Sequence, residues 1–201
     1  MSLFFQQALI YDTRDFGAED PTKGVYFEIG NEYSSKLIGS EFNFDKLLIQ
    51  AKTFHKLPYG QRTVLAGRLA VGNIFGSEAP FFEYQDQWSP DGSINALGGA
   101  RSLRGFRAEP VHGTLLWFTN WELRTRLAER KIGSQRFALS VVPFLDAGTV
   151  RDRWQSLDFR NVRYSYGVGG RLAWNQSTII TLDIGRSKED KFLFFGIGHS
   201  F

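Results

Sequence analysis

The sequence predicts an all-β fold, a meander of about nine long antiparallel strands, and three observations predict it. Phenylalanine and glycine are abundant, with 19 Phe and 21 Gly among 201 residues, and no helix-forming run interrupts them. Aromatic side chains suit a pleated surface and glycine suits close strand contacts. Apolar and polar residues alternate with the period of two that sends successive side chains to opposite faces of a strand. Turn-rich connections separate these runs, and their lengths alternate between long and short.

The strands fall at about 3–14, 24–35, 43–56, 61–74, 112–127, 135–150, 162–174, 177–187 and 191–201. The first runs into Tyr11-Asp12-Thr13-Arg14-Asp15, where Asp12, Arg14 and Asp15 can pair across adjacent strands. Pro21 and Gly24 then turn the chain into the second. The third and fourth are joined by about 4 residues, a hairpin-length connection. In the fifth, Leu115, Trp117, Trp121 and Leu123 share one face, and Asn120, Glu122, Arg124 and Arg126 the other. The sixth carries Phe144-Leu145-Asp146-Ala147-Gly148. The seventh sets Tyr164, Tyr166, Val168, Leu172 and Trp174 against Arg163, Ser165, Gly167, Gly169 and Arg171. In the eighth, Thr178, Ile180, Leu182 and Ile184 oppose Thr181, Asp183 and Gly185. The ninth, Phe192 to Phe201, puts Leu193, Ile197 and Phe201 on one face.

Strands of this kind fit either a soluble sandwich or lipocalin-like barrel with the apolar face inside, or a membrane barrel with that face toward lipid. Three features favour the membrane. Many strands exceed the usual length of about 5–6 residues and reach the roughly 9–11 that cross a bilayer at a tilt. Tyr, Trp and Phe recur near strand ends, as an interfacial girdle requires. Segments of about 7, 37 and 11 residues follow the second, fourth and sixth strands, and about 4, 7 and 2 follow the third, fifth and seventh, the asymmetry of transmembrane barrels. The connection of about 9 residues after the first strand and the tight turn at Lys188-Glu189-Asp190 blur that rule. No apolar run of about 18 residues exists, so no transmembrane helix is expected. A mean hydropathy of −0.25 is compatible with a barrel, whose strands have one polar face.

Other function classes find little support. The chain has no Cys, which removes disulfide scaffolds and thiolate metal sites. The net charge is +3, but the basic residues are scattered among Asp and Glu, so no nucleic-acid partner is expected. His55, His112 and His199 lie on separate strands without ligand spacing, and no metal is expected. Asp86, Asp91 and the tract Trp88-Ser89-Pro90-Asp91-Gly92 only faintly resemble a calcium loop, and the tract reads as an exposed turn. No Gly-x-Ser-x-Gly elbow, phosphate-binding loop or paired-carboxylate signature occurs, so neither an enzyme nor a cofactor is expected.

The long segment before the fifth strand holds Leu103-Arg104-Gly105-Phe106. Loops beyond about 12–15 residues are normally functional or disordered. Gly105 permits a tight turn, Arg104 offers a planar fork of donors, and Phe106 offers an apolar anchor. Glu122 and Asp146 lie on polar faces of neighbouring strands, where an inward-folded loop can bring Arg104. The bland alternative is a solvated Arg104 and a Glu122 paired with Arg124 or Arg126 nearby.

Four passages resemble the bacterial surface antigen superfamily, the BamA/TamA type of outer-membrane assembly factor and its two-partner secretion relatives. They are Tyr11 to Asp15 with Pro21-Thr22-Lys23-Gly24, the Arg104-Gly105-Phe106 loop, the strand Gly113 to Arg124, and Phe144 to Gly148. The closing strand, with Phe195, Ile197, Gly198 and a terminal Phe201, resembles the family's C-terminal targeting signal. The resemblance implies a lock in which Arg104, Gly105 and Phe106 pin the loop to the inner wall at Glu122 or Asp146. It also implies a sixteen-stranded barrel preceded by periplasmic POTRA repeats, with residues 1–201 as its C-terminal region.

Neither the repeats nor the earlier strands are recognisable here, and Met1-Ser2-Leu3-Phe4-Phe5 does not read as a signal peptide. Nine antiparallel strands would also leave the two ends of the sheet on opposite sides. The expectation is therefore a fragment, a truncated gene product, or half of a barrel that needs another chain. The resemblance implies a bacterial outer-membrane location and a role in folding and inserting other β-barrel proteins. Alternatives are polypeptide translocation and anchorage of an upstream domain. Expected partners are outer-membrane lipid, client outer-membrane or secreted polypeptides, and assembly lipoproteins or periplasmic modules. Gly196 and Gly198 suit a weakly paired closing strand, or simply relieve crowding.

Overall fold

A computed structural model describes residues 3–15, 20–60, 62–76, 78–80, 83–84, 87–94, 97–108, 113–152, 161–175 and 178–201. Met1, Ser2, Asp86 and His112, named above, lie outside these. The described residues form β1 (Phe5–Asp12), β2 (Gly24–Ser34), β3 (Phe44–Leu57), β4 (Thr63–Phe75), β5 (Leu115–Ile132), β6 (Gln135–Arg151), β7 (Arg163–Trp174), β8 (Thr178–Arg186) and β9 (Lys191–Ile197). They make one sheet in chain order, every neighbour antiparallel. β1 pairs only with β2 and β9 only with β8, so the curved wall has two free edges.

The two faces are inverted relative to a soluble protein. Glu28, Lys46, Gln50, Arg68, Glu122, Asp146 and Asp183 are buried on the concave side. Leu9, Leu69, Leu145, Leu182 and Phe195 are exposed on the other. Charged residues are almost never buried unless paired, and an apolar sheet face of this extent is costly in water. Hydrocarbon removes the second difficulty and a plugged lumen removes the first, so the fold is a portion of a transmembrane barrel. No helix among the described residues is long and apolar enough to cross a membrane, which says nothing of strands.

Three strand ends depart from expectation. β5 runs on to Ile132, so Gly133 and Ser134 alone turn the chain into β6. The stretch Ala128-Glu129-Arg130-Lys131 looks like a loop in composition, yet Glu129 bridges Arg126 and Arg136 at 2.6 Å each and holds the hairpin together. β1 is shorter than expected and exposed over most of its length, as an edge strand is. β9 stops at Ile197 because Gly198, at φ 91°, turns the chain off the sheet. Phe201 therefore does not share a face with Leu193 and Ile197. Its ring packs inside against Phe54, Val64 and Ala66.

The concave face is filled by the long connection between β4 and β5. Its Ile94, Leu97, Leu103 and Phe106 form an apolar cluster with Leu48, Ala70, Leu116 and Phe118 of the wall. At roughly 1.5–3 kcal/mol per fully buried side chain, this cluster opposes the entropy of ordering so long a loop. The tract Trp88 to Gly92 is no exposed turn. A bridge between Gln87 and Ile94 closes it, Ser89 donates to Glu28 at 3.0 Å, and Asp91 pairs with Lys52.

Candidate functional site

The deepest part of the plug is the turn from Gly98 to Arg107. Gly99 N–H donates to Phe106 O at 2.9 Å, Phe106 N–H to Leu103 O at 3.1 Å, and Gly98 N–H to the Ser102 hydroxyl at 2.8 Å. Gly98 at φ 120° and Gly99 at φ 84° make the reversal, a left-handed backbone that other residues rarely adopt. Gly105 lies in the tight turn that Phe106 N–H and Leu103 O close, and its missing side chain also permits close approach to the wall. A Cβ there would lie 2.6 Å from Ser165 Cβ and Arg186 C, and one on Gly185 would lie 1.9 Å from Arg104 O. The facing glycines let the tip lie flat on β7 and β8.

That approach delivers Arg104, which is 0% exposed, to the wall. Its fork meets Asp146 with two parallel bonds, Nε to Oδ2 at 3.0 Å and Nη2 to Oδ1 at 2.8 Å. Arg104 backbone N–H adds a third to Asp146 Oδ2 at 3.0 Å. Nη1 turns the other way, to Glu122 Oε1 at 2.5 Å, Ser200 Oγ at 3.0 Å and Asp183 Oδ2 at 3.4 Å. The guanidinium carbon also sits 3.5 Å from the centre of the Phe144 ring. Arg104 thus engages both Glu122 and Asp146, and the choice left open by the sequence does not arise.

Neighbouring groups complete the cluster. Asn120 bridges Ser102 O and Asp146, tying turn to wall at 2.5 and 2.9 Å. Arg124 Nε donates to Glu122 Oε2 at 2.8 Å, and Arg171 forms a two-pronged pair with Asp183. A Cβ at Gly169 would strike Asp183 Oδ1 at 1.9 Å, so a side chain there would displace that pair. Arg104, Arg124 and Arg171 face Glu122, Asp146 and Asp183, so the buried charge sums to zero. Burial alone would lower the Arg104 pKa, but Glu122 and Asp146 reverse that and raise it above its ordinary value. Arginine is therefore a permanent cation here. Breaking a buried pair by removing one partner costs about 3–5 kcal/mol, because the other charge is stranded.

The C-terminal tail joins the same cluster. Ser200 Oγ donates to Glu122 Oε1 at 2.8 Å, and Arg124 Nη2 donates to Phe201 O at 3.1 Å. His199 is buried, with Nε2 3.4 Å from Asp20 Oδ1. Burial, reinforced by Arg124, pushes the His199 pKa down to about 4. Asp20, although desolvated, is held down at about 2 by His199 and Arg62. Phe195 and Ile197 remain on β9, three-quarters exposed on the outer face.

Sequence reasoning missed Asp183, Arg171, Asn120, Phe144 and Ser200 as parts of this cluster. Asn120, Arg171 and Asp183 were visible as polar-face residues, but their meeting depends on strand register, which alternation alone does not supply. At the other end, Asp12 pairs with Arg14 at 2.7 Å within one turn. Asp15 reaches across to accept from Thr22 and Lys23 N–H at 2.7 and 2.9 Å. No group of His, Asp and Glu among the described residues could hold a metal ion.

The fold and sequence have counterparts. The structure superposes on BamA from Haemophilus ducreyi lacking POTRA domains 1-3, with TM-score 0.70 and 17% identity over 97% of this chain. This chain spans 42% of the length of that one. No curated protein matches the sequence. The model of the Omp85 superfamily domain matches residues 2–201, and the chain belongs to that superfamily.

Proposed function

We propose that this chain is the C-terminal barrel region of an outer-membrane assembly factor of the BamA/TamA type, which assists the folding and insertion of β-barrel proteins into the bacterial outer membrane. In this reading residues 1–201 form one region of a sixteen-stranded barrel that continues elsewhere in a longer protein. The observation that carries the reading is the closing strand. β9 has only 7 residues, and the chain leaves the sheet at Gly198, so this strand offers few backbone pairs to any neighbour. An unpaired edge presents a row of N–H and C=O groups that an incoming strand can join. A short closing strand costs little to unpair, so the seam can open toward lipid and template a client. No covalent chemistry is needed. The Arg104 tip has the role of a lock that braces the plug and wall while the seam moves. Client barrels and lipid are the direct partners, with assembly lipoproteins and periplasmic modules acting on the rest of the protein.

The test uses the complete parent protein reconstituted in liposomes and a urea-unfolded client barrel, whose insertion is read as heat-resistant migration. A Phe195→Cys variant cross-linked to a cysteine on the parent's first strand should stop insertion, and reductant should restore it. Insertion unaffected by the cross-link overturns the proposal. Passage of unfolded polypeptide into the vesicle interior, with no client inserted, favours translocation instead.

A further inference from the structure

Beneath the docked tract Trp88 to Gly92 lies a cavity of roughly 260 Å³, at the end of the barrel opposite the long loop's origin. Its lining gathers Arg14, Lys52, Arg68 and Arg101, with Asp91 and His199 between them. The four cations come from four separate pieces of chain, the β1–β2 turn, β3, β4 and the plug, so no local helix or run of charge assembles them.

The charges are unevenly matched. Arg14 is neutralised by Asp12 through two parallel bonds, Nε to Oδ1 at 3.0 Å and Nη2 to Oδ2 at 2.7 Å. Lys52 is neutralised by Asp91, which also lies 3.7 Å from Arg14. Arg68 and Arg101 have no carboxylate within 4.0 Å among the described residues. Arg68 is buried, and its bonds go to neutral acceptors, Gln50 Oε1 at 2.7 Å and Arg101 O at 2.9 Å. Asp91 across the cavity and Glu28 on the far side of Gln50 act on it only from a distance. Arg101 is exposed at the mouth, packed against Gly92, where a Cβ would lie 2.9 Å from its Nη1.

A second observation is independent of the cations. The ring of His199 is only 7% exposed and lines the same cavity; its Nε2 lies 3.4 Å from Asp20 Oδ1, and its Nδ1 has no hydrogen-bond partner among the described residues. Buried polar groups are normally satisfied, and an unsatisfied one at a cavity wall marks a place for a polar occupant.

We propose that this cavity is a phosphate-binding subsite, in which Arg68 and Arg101 clamp a phosphate group and His199 completes its hydrogen bonding. The two guanidinium charges without a carboxylate in contact among the described residues match the roughly −1.5 to −2 carried by a phosphate monoester at neutral pH, and the planar fork of arginine suits phosphate oxygens. Lys52 and Arg14 form the back of the site, and Asp91 is the tethered carboxylate that screens them when the site is empty. The source of the phosphate is a lipid headgroup or a soluble phosphoryl compound.

The test uses the complete parent protein folded in neutral maltoside micelles, with folding verified for each variant by heat-modifiable migration. Inorganic phosphate is titrated calorimetrically in one arm, and dioctanoyl phosphatidic acid against dioctanoyl phosphatidylcholine in the other. Saturable binding is expected, weakened at least fivefold in Arg101→Gln and tenfold or more in Arg68→Gln/Arg101→Gln. Asp91→Asn should tighten it severalfold by removing the competing carboxylate. Binding of phosphatidic acid alone assigns the site to a lipid headgroup, and binding of both probes assigns it to any accessible phosphate. Arg101 is exposed, so Arg101→Gln carries the test if Arg68→Gln does not fold. Equal binding of both probes by wild type and Arg101→Gln, or no binding of either by wild type, overturns the proposal.

Discussion

Replacing Arg104 by alanine is the sharpest perturbation of the loop lock. The substitution removes the two-pronged bond to Asp146, the contacts to Glu122 and Asp183, and the stacking on Phe144. Those terms do not simply add, because Glu122 keeps Arg124 and Asp146 keeps Asn120. The cluster nevertheless changes from neutral to one net negative charge in a site closed to water. Breaking such a pair costs about 3–5 kcal/mol, or about two to three and a half powers of ten in the folded ratio at 1.4 kcal/mol per decade. Against a total stability of about 5–15 kcal/mol that is a large fraction. Urea unfolding in micelles, followed by tryptophan emission, reads the loss directly. Arg107→Ala, an exposed arginine three residues on, is the control and should change stability by less than about 0.5 kcal/mol. If Arg104→Ala costs no more than Arg107→Ala, the tip is not clamped and the reasoning from burial fails.

Four further outcomes are expected. Arg104→Glu combined with Asp146→Arg restores the balance of three cations and three anions, so the double variant should regain heat-resistant migration that each single variant lacks. Gly185→Ala places a methyl 1.9 Å from Arg104 O and should lift the tip, costing about 1–3 kcal/mol and exposing the plug to limited proteolysis. Ser200→Ala removes the hydroxyl between Arg104 and Glu122 and should cost about 1–2 kcal/mol in the same urea assay. His199 is depressed to about 4 by burial, while its unfolded value is about 6.5. The unfolded chain therefore binds the proton first, and stability falls as pH drops from about 6.5 to about 4, by on the order of 2–3 kcal/mol. Asp20 stays ionised through that window, and His199→Gln should flatten the profile.

Much of the fold was legible because a membrane barrel writes itself as alternation. In β8 the pattern of Leu182 and Ile184 against Thr181 and Asp183 sorts outward from inward residues correctly. The ends were harder. Ala128 to Lys131 reads as loop because it is polar and exposed on both faces, and its strand form rests on backbone pairing with β6 and the Glu129–Arg136 ion pair rather than on hydrophobicity. Phe201 reads as the last residue of β9, since nothing in local composition says that Gly198 takes a positive φ. The pairing of Arg104 with wall carboxylates was anticipated in kind, but Asp183 and Ser200 lie 79 and 96 residues away, and only the register of five strands brings them in. Trp88 to Gly92 carries ordinary turn chemistry, and turn chemistry does not reveal whether the turn faces solvent or dips into a lumen.

The charge cluster has a consequence for the order of assembly. Arg104 stands near the middle of the chain, yet Ser165, Arg171, Asp183 and Ser200 all follow Arg163 in the chain. Contacts of such separation close late, after the loop entropy between them has been spent. Until β7, β8 and the tail are laid down, Arg104 has Glu122 and Asp146 but lacks the surface of Ser165, Gly185 and Arg186 on which the tip lies and the Ser200 hydroxyl, so the pair stays open to water. The plug therefore cannot seat firmly in an unfinished wall, and its docking reports that the last strand has arrived.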